Sequence, residues 1–135
     1  MQKRILVISP HPDDETISVG GTISKLISEG SEVFVLTVSG HLPPLYERSD
    51  FDTTVDEAKE AYKILGVTEY RFLEIPATMI GDEPIHKLNG KIASVIDEFL
   101  PQVVCNDSNC EVVDKQGNIK GYITNKELQK SLTKS

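Results

Sequence analysis

Arg4-Ile5-Leu6-Val7-Ile8-Ser9-Pro10-His11-Pro12-Asp13-Asp14-Glu15 is the stretch that decides the fold. Its first half is a continuous aliphatic run. Such a run reads as a strand buried on both faces, as in the middle of a parallel sheet. From Thr16 to Glu29 the apolar residues Ile17, Ile23, Leu26 and Ile27, with Gly30 as a stop, predict a helix. Gly20-Gly21 is read as allowing close approach to a neighbouring backbone. The polar segment from Pro10 to Glu15 therefore falls between the carboxyl end of a first strand and the start of a first helix. Ligands bind at that place in open α/β sheets.

Imidazole and carboxylate together suit a divalent ion such as zinc. His11 and Asp14 are three apart, so a tight turn can aim both at one point. Asp13 lies between them and can face that point from the other side. Pro10 and Pro12 restrict the backbone and reduce the entropy lost in holding ligands. A helix N-terminus favours ionised carboxylates. A plainer reading makes Asp13 and Asp14 helix caps and His11 a turn residue. Pattern alone leaves both open.

Working outward, a second strand is read over Glu32 to Ser39, ending at Gly40-His41. If it lies parallel to the first, His41 falls on the same rim as His11. There it is a polar rim residue with a further option of binding substrate or metal. Leu42 to Asp52 reads as a Pro-rich loop carrying Tyr46 and Arg48, long enough to cover a site. A second helix is expected from Thr53 or Thr54 to Leu65, with Val55, Ala58, Ala61, Tyr62 and Leu65 inward and Gly66 closing it. Glu57 and Glu60 read as solvated. A third strand is expected over Tyr70 to Leu73, then a loop from Ile75 to Pro84. A third helix follows from Ile85 to Leu100, burying Ile85, Leu88, Ile92, Val95, Ile96 and Phe99 and leaving His86 exposed. A fourth strand, Gln102 to Cys105, returns beside the first and brings Asn106, Asp107 and Ser108 to the rim. The alternation gives an α/β class: a Rossmann-like three-layer sandwich with a mostly parallel sheet, incomplete at the C-terminus.

His11-Pro12-Asp13-Asp14-Glu15 after a first strand resembles the signature of the LmbE-like, or PIG-L, family of metal-dependent deacetylases. The helix with Gly20-Gly21, the strand Val33-Phe34-Val35-Leu36-Thr37 and the helix ending Ile64-Leu65-Gly66-Val67 are similar to that family as well. The resemblance covers about residues 3 to 112. It implies removal of an acetyl group from an N-acetylglucosamine-type sugar, with zinc or another divalent metal as cofactor. It further implies that His11 and Asp14 are metal ligands and that Asp13 is the general base. Family members carry an arginine near the start of the second helix. Here Thr53-Thr54 stands there, and Arg48 lies nearby as a substrate-binding candidate beside His41.

Family members also have a histidine motif after the fourth strand that supplies a third ligand, whereas no histidine follows His86 here. A catalytic zinc takes three protein ligands and an open position. Asp107 is the first substitute, because it follows strand four directly and carboxylate is a common zinc ligand. Cys105, Cys110, Asp114 and His41 are the others, the cysteines having a plainer reading as small buried residues. Three explanations stand: a fused or truncated chain, a substitute ligand, or a dead site kept for binding. The expectation is low or absent activity for the chain as it stands.

The tail from Glu111 to Leu128 resembles the second half of a cystathionine-β-synthase (CBS) domain. It reads as strand, turn at Asp114 to Asn118, strand, and a helix from Lys126 to Leu132. The expected division is 1–112 for the deacetylase-type unit and 113–135 for the tail. An unpaired hairpin edge invites association with a second copy. The alternative function is accordingly a non-catalytic binding or regulatory module that self-associates or takes a nucleotide.

The formal net charge of −7 over 135 residues argues against a nucleic-acid or anionic-membrane surface. No run reaches membrane-spanning length, and Met1 to Arg4 leads into a strand rather than a leader. Two cysteines make no disulfide framework. Together these point to a cytoplasmic protein; a small amino-sugar substrate is what the resemblance implies. A Rossmann nucleotide binder is set aside, because the first turn has no G-x-G-x-x-G and offers carboxylates where phosphate needs backbone N–H groups.

Overall fold

A strand flanked on both sides needs apolar side chains on both faces, and Arg4–Ser9 (β1) supplies them as the inner strand of a six-stranded sheet. The structure is a computed structural model and describes residues 3–9, 14–105, 109–113 and 119–124. Its remaining elements are α1 (Asp14–Ser28), β2 (Glu32–Gly40), α2 (Arg48–Leu65), β3 (Glu69–Pro76), a 3₁₀ segment (Ala77–Asp82), α3 (Ile85–Phe99), β4 (Val103–Cys105), β5 (Asn109–Val113) and β6 (Ile119–Thr124). The sheet order is β3-β2-β1-β4-β5-β6. β1 runs parallel to β2, from Arg4 against Glu32 to Ser9 against Thr37. It also runs parallel to β4, with Ile5 against Val103 and Val7 against Cys105. The expected return of the fourth strand beside the first holds. β5 and β6 then continue the sheet antiparallel. The expected turn at 114–118 and helix at 126–132 lie outside the described residues.

Side chains alternate across a strand, so each face builds its own core. Ile5, Val7, Val33, Val35, Val103 and Cys105 pack against Ile23 and Leu26 of α1 and Ala58 and Tyr62 of α2. Leu6, Phe34 and Leu36 pack against Val95 and Phe99 of α3. The result is three layers, with two helices on one face and one on the other. Among the described residues no helix is long and apolar enough to cross a membrane.

Several expectations are corrected. α2 begins at Arg48, about five residues before Thr53. Phe51 is 3% exposed and extends the inward stripe by one turn, and Arg48 pairs with Asp52 at i,i+4. The hydroxyls of Thr53 and Thr54 donate to the carbonyls of Ser49 and Asp50, so both threonines lie inside the helix rather than capping it. β3 runs on to Pro76, and much of the expected loop is the 3₁₀ segment. Ile85 is 75% exposed, because it sits in α3's first turn, beyond the sheet's cover. Gly21 has no neighbour a Cβ would meet, so it serves no close approach. Cys105 is buried but disulfide-bonded rather than a free thiol. Its register neighbour on β5 is Cys110. A disulfide also weakens the argument from cysteine use for a reducing compartment.

Two arginines tie α3 to the sheet. Arg4 donates from Nε and Nη2 to the Phe99 carbonyl, at 2.9 and 2.5 Å. That satisfies a helix-end acceptor. Arg71 holds Glu98 through two bonds of 2.7 and 2.9 Å. The Arg71 hydrogen bond, ahead of its charge, pulls the Glu98 carboxyl below its ordinary value of 4.5. A lowered native pKa gives stability that is present above the unfolded value and lost as pH falls through the native one. Glu98→Gln is therefore expected to lower the melting temperature modestly at pH 7 and to change little at pH 3, so that part of the acid loss between them is flattened. An unchanged acid slope would remove this pair from the acid response.

Candidate active site

The carboxyl rim is built by a change of residue type along one face. On the α1/α2 side the aliphatic positions Val7, Val33 and Val35 give way to Ser9, Thr37 and Ser39, all buried. Ser9 and Thr37 are register partners. Ser9 immediately precedes the 10–13 segment, and Asp14 is the first residue of α1. His11, Asp13 and Asp107 lie outside the described residues. The segments that carry them are bounded by β1 and α1 on one side and by β4 and β5 on the other. β1 and β4 are adjacent and parallel, so both segments follow from the same edge of the sheet.

The rim is stepped. β1 ends opposite Thr37, while β2 continues through Val38, Ser39 and Gly40. Three more residues carry it roughly 10 Å further at about 3.3 Å each. In that extension β2 pairs with β3 alone, Ser39 against Ile75 and Gly40 against Pro76. His41 therefore stands on an outer step, well above the level at which β1 ends. It is exposed, and its ring stacks on Tyr46 with centroids 4.3 Å apart and planes at 26°.

Arg48 starts α2 behind this step. Its Nη2 reaches Glu74 at 2.5 Å and its Nε reaches Asp52 at 3.3 Å. The Glu74 hydrogen bond is the largest cause holding the guanidinium more firmly in its charged form. Glu74 has φ +56°, a left-handed conformation uncommon for a non-glycine residue. It lies where the β2–β3 register shifts between Thr37 and Ser39, and the kink there carries its carboxylate to Arg48.

Gly40 fixes the height of the step. A Cβ placed there would lie 2.5 Å from Cδ2 and Cε2 of Phe51, and the Phe51 ring is buried with no room to retreat. Gly40→Ala is expected to cost about 1–3 kcal/mol, as overpacking does. Phe51→Leu in the same chain should return part of it. Urea unfolding of the two single variants and the double variant reads this, and strict additivity would mean that the clash is absent.

Among the described residues no three of His, Cys, Asp and Glu gather as a metal would require. Cys105 in its bonded form is no thiolate ligand. What the described residues offer is a polar floor. Thr37 Oγ1 is buried without a hydrogen-bond partner among the described residues, next to the strand end that leads into the 10–13 segment. An unsatisfied buried hydroxyl is costly, and a polar ligand or water at the rim would relieve it. By residue type, the imidazole of His11 and the carboxylates of Asp13 and Asp14 suit a hard or borderline divalent ion.

Sequence reading named Tyr46 only as part of a covering loop and did not single out Thr37 or Glu74. The hydroxyls interrupting an aliphatic run at Leu36-Thr37-Val38-Ser39 were the available signal for the floor. Nothing local marks Tyr46 or Glu74.

Residues 6–112 match the PIG-L family, described as GlcNAc-PI de-N-acetylase. The chain belongs to the PIG-L family. A 1D-myo-inositol 2-acetamido-2-deoxy-alpha-D-glucopyranoside deacetylase of Streptomyces avermitilis is 30% identical over 130 residues, covering 76% of this chain and 44% of that protein. The corresponding deacetylase of Thermomonospora curvata is 37% identical over 83 residues, 53% of this chain and 28% of its own length. This PIG-L chain thus spans less than half the length of these relatives. Among solved structures, N,N'-diacetylchitobiose deacetylase from Pyrococcus horikoshii superposes with a TM-score of 0.67 at 28% identity, over 76% of this chain and 39% of that one. A 4-carboxy-2-hydroxymuconate hydratase from Pseudomonas putida matches with a TM-score of 0.61 at 25% identity, over 76% and 45%. The fold shared by PIG-L proteins therefore hosts more than one reaction, and the site must decide between them.

Proposed function

We propose that this chain carries the catalytic front of a metal-dependent N-deacetylase acting on an N-acetylated amino sugar or its conjugate. The observation that carries the reading is the family match over 6–112, with its His-Pro-Asp-Asp segment between β1 and α1 at the carboxyl rim. His11, Asp14 and Asp107 would hold a divalent ion, zinc by ligand type, which when bound supplies Lewis acidity toward the acetyl carbonyl. Asp13 takes a proton from the attacking water. It then returns that proton to the amine nitrogen as the C–N bond breaks, leaving acetate and the free amine. His41 and Arg48 bind the sugar from the outer step. Arg48 still has N–H donors beyond those used by Asp52 and Glu74. The deacetylase-type unit is taken as 1–112 and the tail, which carries β6, as 113–135.

The test is acetate release from N,N'-diacetylchitobiose with added zinc, alongside metal content of the purified chain. Stoichiometric zinc and measurable acetate support the reading. Absence of both at micromolar metal overturns it. A second reading, a self-associating module with a CBS-like tail, is favoured by the position of β6, which among the described residues pairs with β5 alone and forms the last strand of the sheet. Concentration-dependent sedimentation without acetate release would select that reading.

A further inference from the structure

The sheet is made of two parts that meet at a short seam. β1, β2 and β3 form a parallel body, with α1 and α2 packed on one face and α3 on the other. β4 belongs to that body. Val103 and Cys105 are buried in its core, and the Gln102 amide donates to the Arg4 carbonyl at 2.8 Å. β5 and β6 extend the sheet in the antiparallel sense. Among the described residues β5 pairs with β4 from Val103 against Val112 to Cys105 against Cys110. With β6 it pairs over the longer run from Asn109 against Thr124 to Val113 against Ile119. It is thus joined more extensively to its own partner than to the body. One pair of the seam sets Val104 against Glu111, an apolar residue against a carboxylate, which adds little to a ladder.

A covalent bond lies in that seam. Cys105 is disulfide-bonded. The chain has two cysteines, and the other, Cys110, is the register partner of Cys105. Residues directly opposite in an antiparallel pair have Cα atoms about 4.5–5.5 Å apart. That lies within the roughly 4.4–6.8 Å that a disulfide spans. A bond between them closes a loop of chain too short to restrict the unfolded state much. Its effect is therefore local to the seam. In a chain without a disulfide framework, such a bond answers to redox conditions rather than carrying the whole fold. Closing the seam buries Cys105 and so protects the bond, while the bond holds the seam closed. Coupling of this kind is reciprocal, so the two fail together.

We infer that the Cys105–Cys110 disulfide is a redox-sensitive clamp: it holds the β5–β6 pair on the parallel body and releases it when a dithiol reductant opens the bond. One thiolate of the dithiol attacks a sulfur of the bond, and the other cysteine leaves as a thiolate. The second thiol of the reductant then displaces the remaining cysteine and closes the reductant's own disulfide. The protein gains two electrons and two protons and ends with both cysteines as thiols. β4 then becomes an edge strand, which is where a further strand can add. The clamp does not rest on the deacetylase reading.

The test compares the full chain in its disulfide form with the same chain reduced by dithiothreitol. Thiol titration in guanidinium should find no free thiol before reduction and both cysteines after it. Hydrogen exchange read by mass spectrometry then follows the sheet strand by strand. Reduction should speed exchange in 109–113 and 119–124 about tenfold, which is about 1.4 kcal/mol of local opening free energy. Arg4–Ser9 and Glu32–Gly40 should keep their rates, and reoxidation should restore the slow exchange of β5 and β6. A chain carrying both Cys105→Ala and Cys110→Ala should exchange as the reduced wild type does, with or without reductant. Should that variant fail to fold, the wild-type comparison alone decides. Free thiols before reduction overturn the clamp. So does unchanged exchange in β5 and β6 once the thiols are free. Loss of protection throughout the sheet on reduction also overturns it, because the bond would then support the whole fold rather than the seam.

Discussion

Replacing Tyr62 with alanine is expected to lower the unfolding free energy by about 3–5 kcal/mol, the range for truncating a buried aromatic. Whole domains are stable by only about 5–15 kcal/mol, so the variant sits near the limit of folding at 37 °C. Tyr62 is fully buried between α2 and the sheet. Its ring lies 5.1 Å from that of Tyr70 and 6.5 Å from that of Phe72, both on β3. Removing it opens a hole that α1, α2 and β3 cannot close together, because each is fixed by its own contacts with the rest of the core. Urea unfolding followed by far-UV circular dichroism reads the change. Tyr62→Phe keeps the ring and isolates the hydroxyl's part. A loss under about 1 kcal/mol for the alanine variant would mean that α2 relaxes onto the sheet, contrary to close packing.

The second large effect concerns chemistry. Asp13→Asn is expected to reduce acetate release by about 10²–10⁴-fold, the usual worth of a positioned proton acceptor. An amide cannot take a proton from water at neutral pH, and the change is nearly isosteric. The ratio to the wild type is the expected result, since the absolute rate of this chain is expected to be low. The same variant should keep its metal content, whereas His11→Ala should lose it. A variant that loses metal and rate together would make Asp13 a ligand rather than the base. Undiminished release would leave proton transfer to another group.

The fold was legible where single residues dictate it. Ile5 to Ile8 and Val33 to Leu36 are apolar on both faces, which only an inner strand satisfies. Strand order followed from short right-handed connections. What escaped was set by contacts distant in sequence. The start of α2 was masked because Ser49, Asp50 and Asp52 look like loop residues, and only Phe51 packing over Gly40 and Arg48 reaching Glu74 make them helical. The extension of β3 past Leu73 depends on β2 overrunning β1, which no local pattern records. For the site, residue type and spacing name His11 and Asp14 as the proposed ligands, and that much is local. A third ligand would have to come from another segment, which no local pattern names. The outer step escaped because stacking of His41 on Tyr46 is a loop contact between residues five apart with no periodicity.

β1 sits between an early neighbour and a late one. Its pairing with β2 closes over a separation of 28 residues, and its bonds to Gln102 and Phe99 close over 98 and 95. At about 5–20 residues per second of translation, roughly 5–20 s pass between the emergence of β1 and that of its second neighbour. For that interval one flank of an aliphatic strand has no partner and the α3 face of the sheet has no cover. The nascent chain thus shows a sticky edge before it can be finished. Slowing the ribosome between α2 and β4 should therefore reduce the soluble yield of this protein without altering the stability of the molecules that do fold.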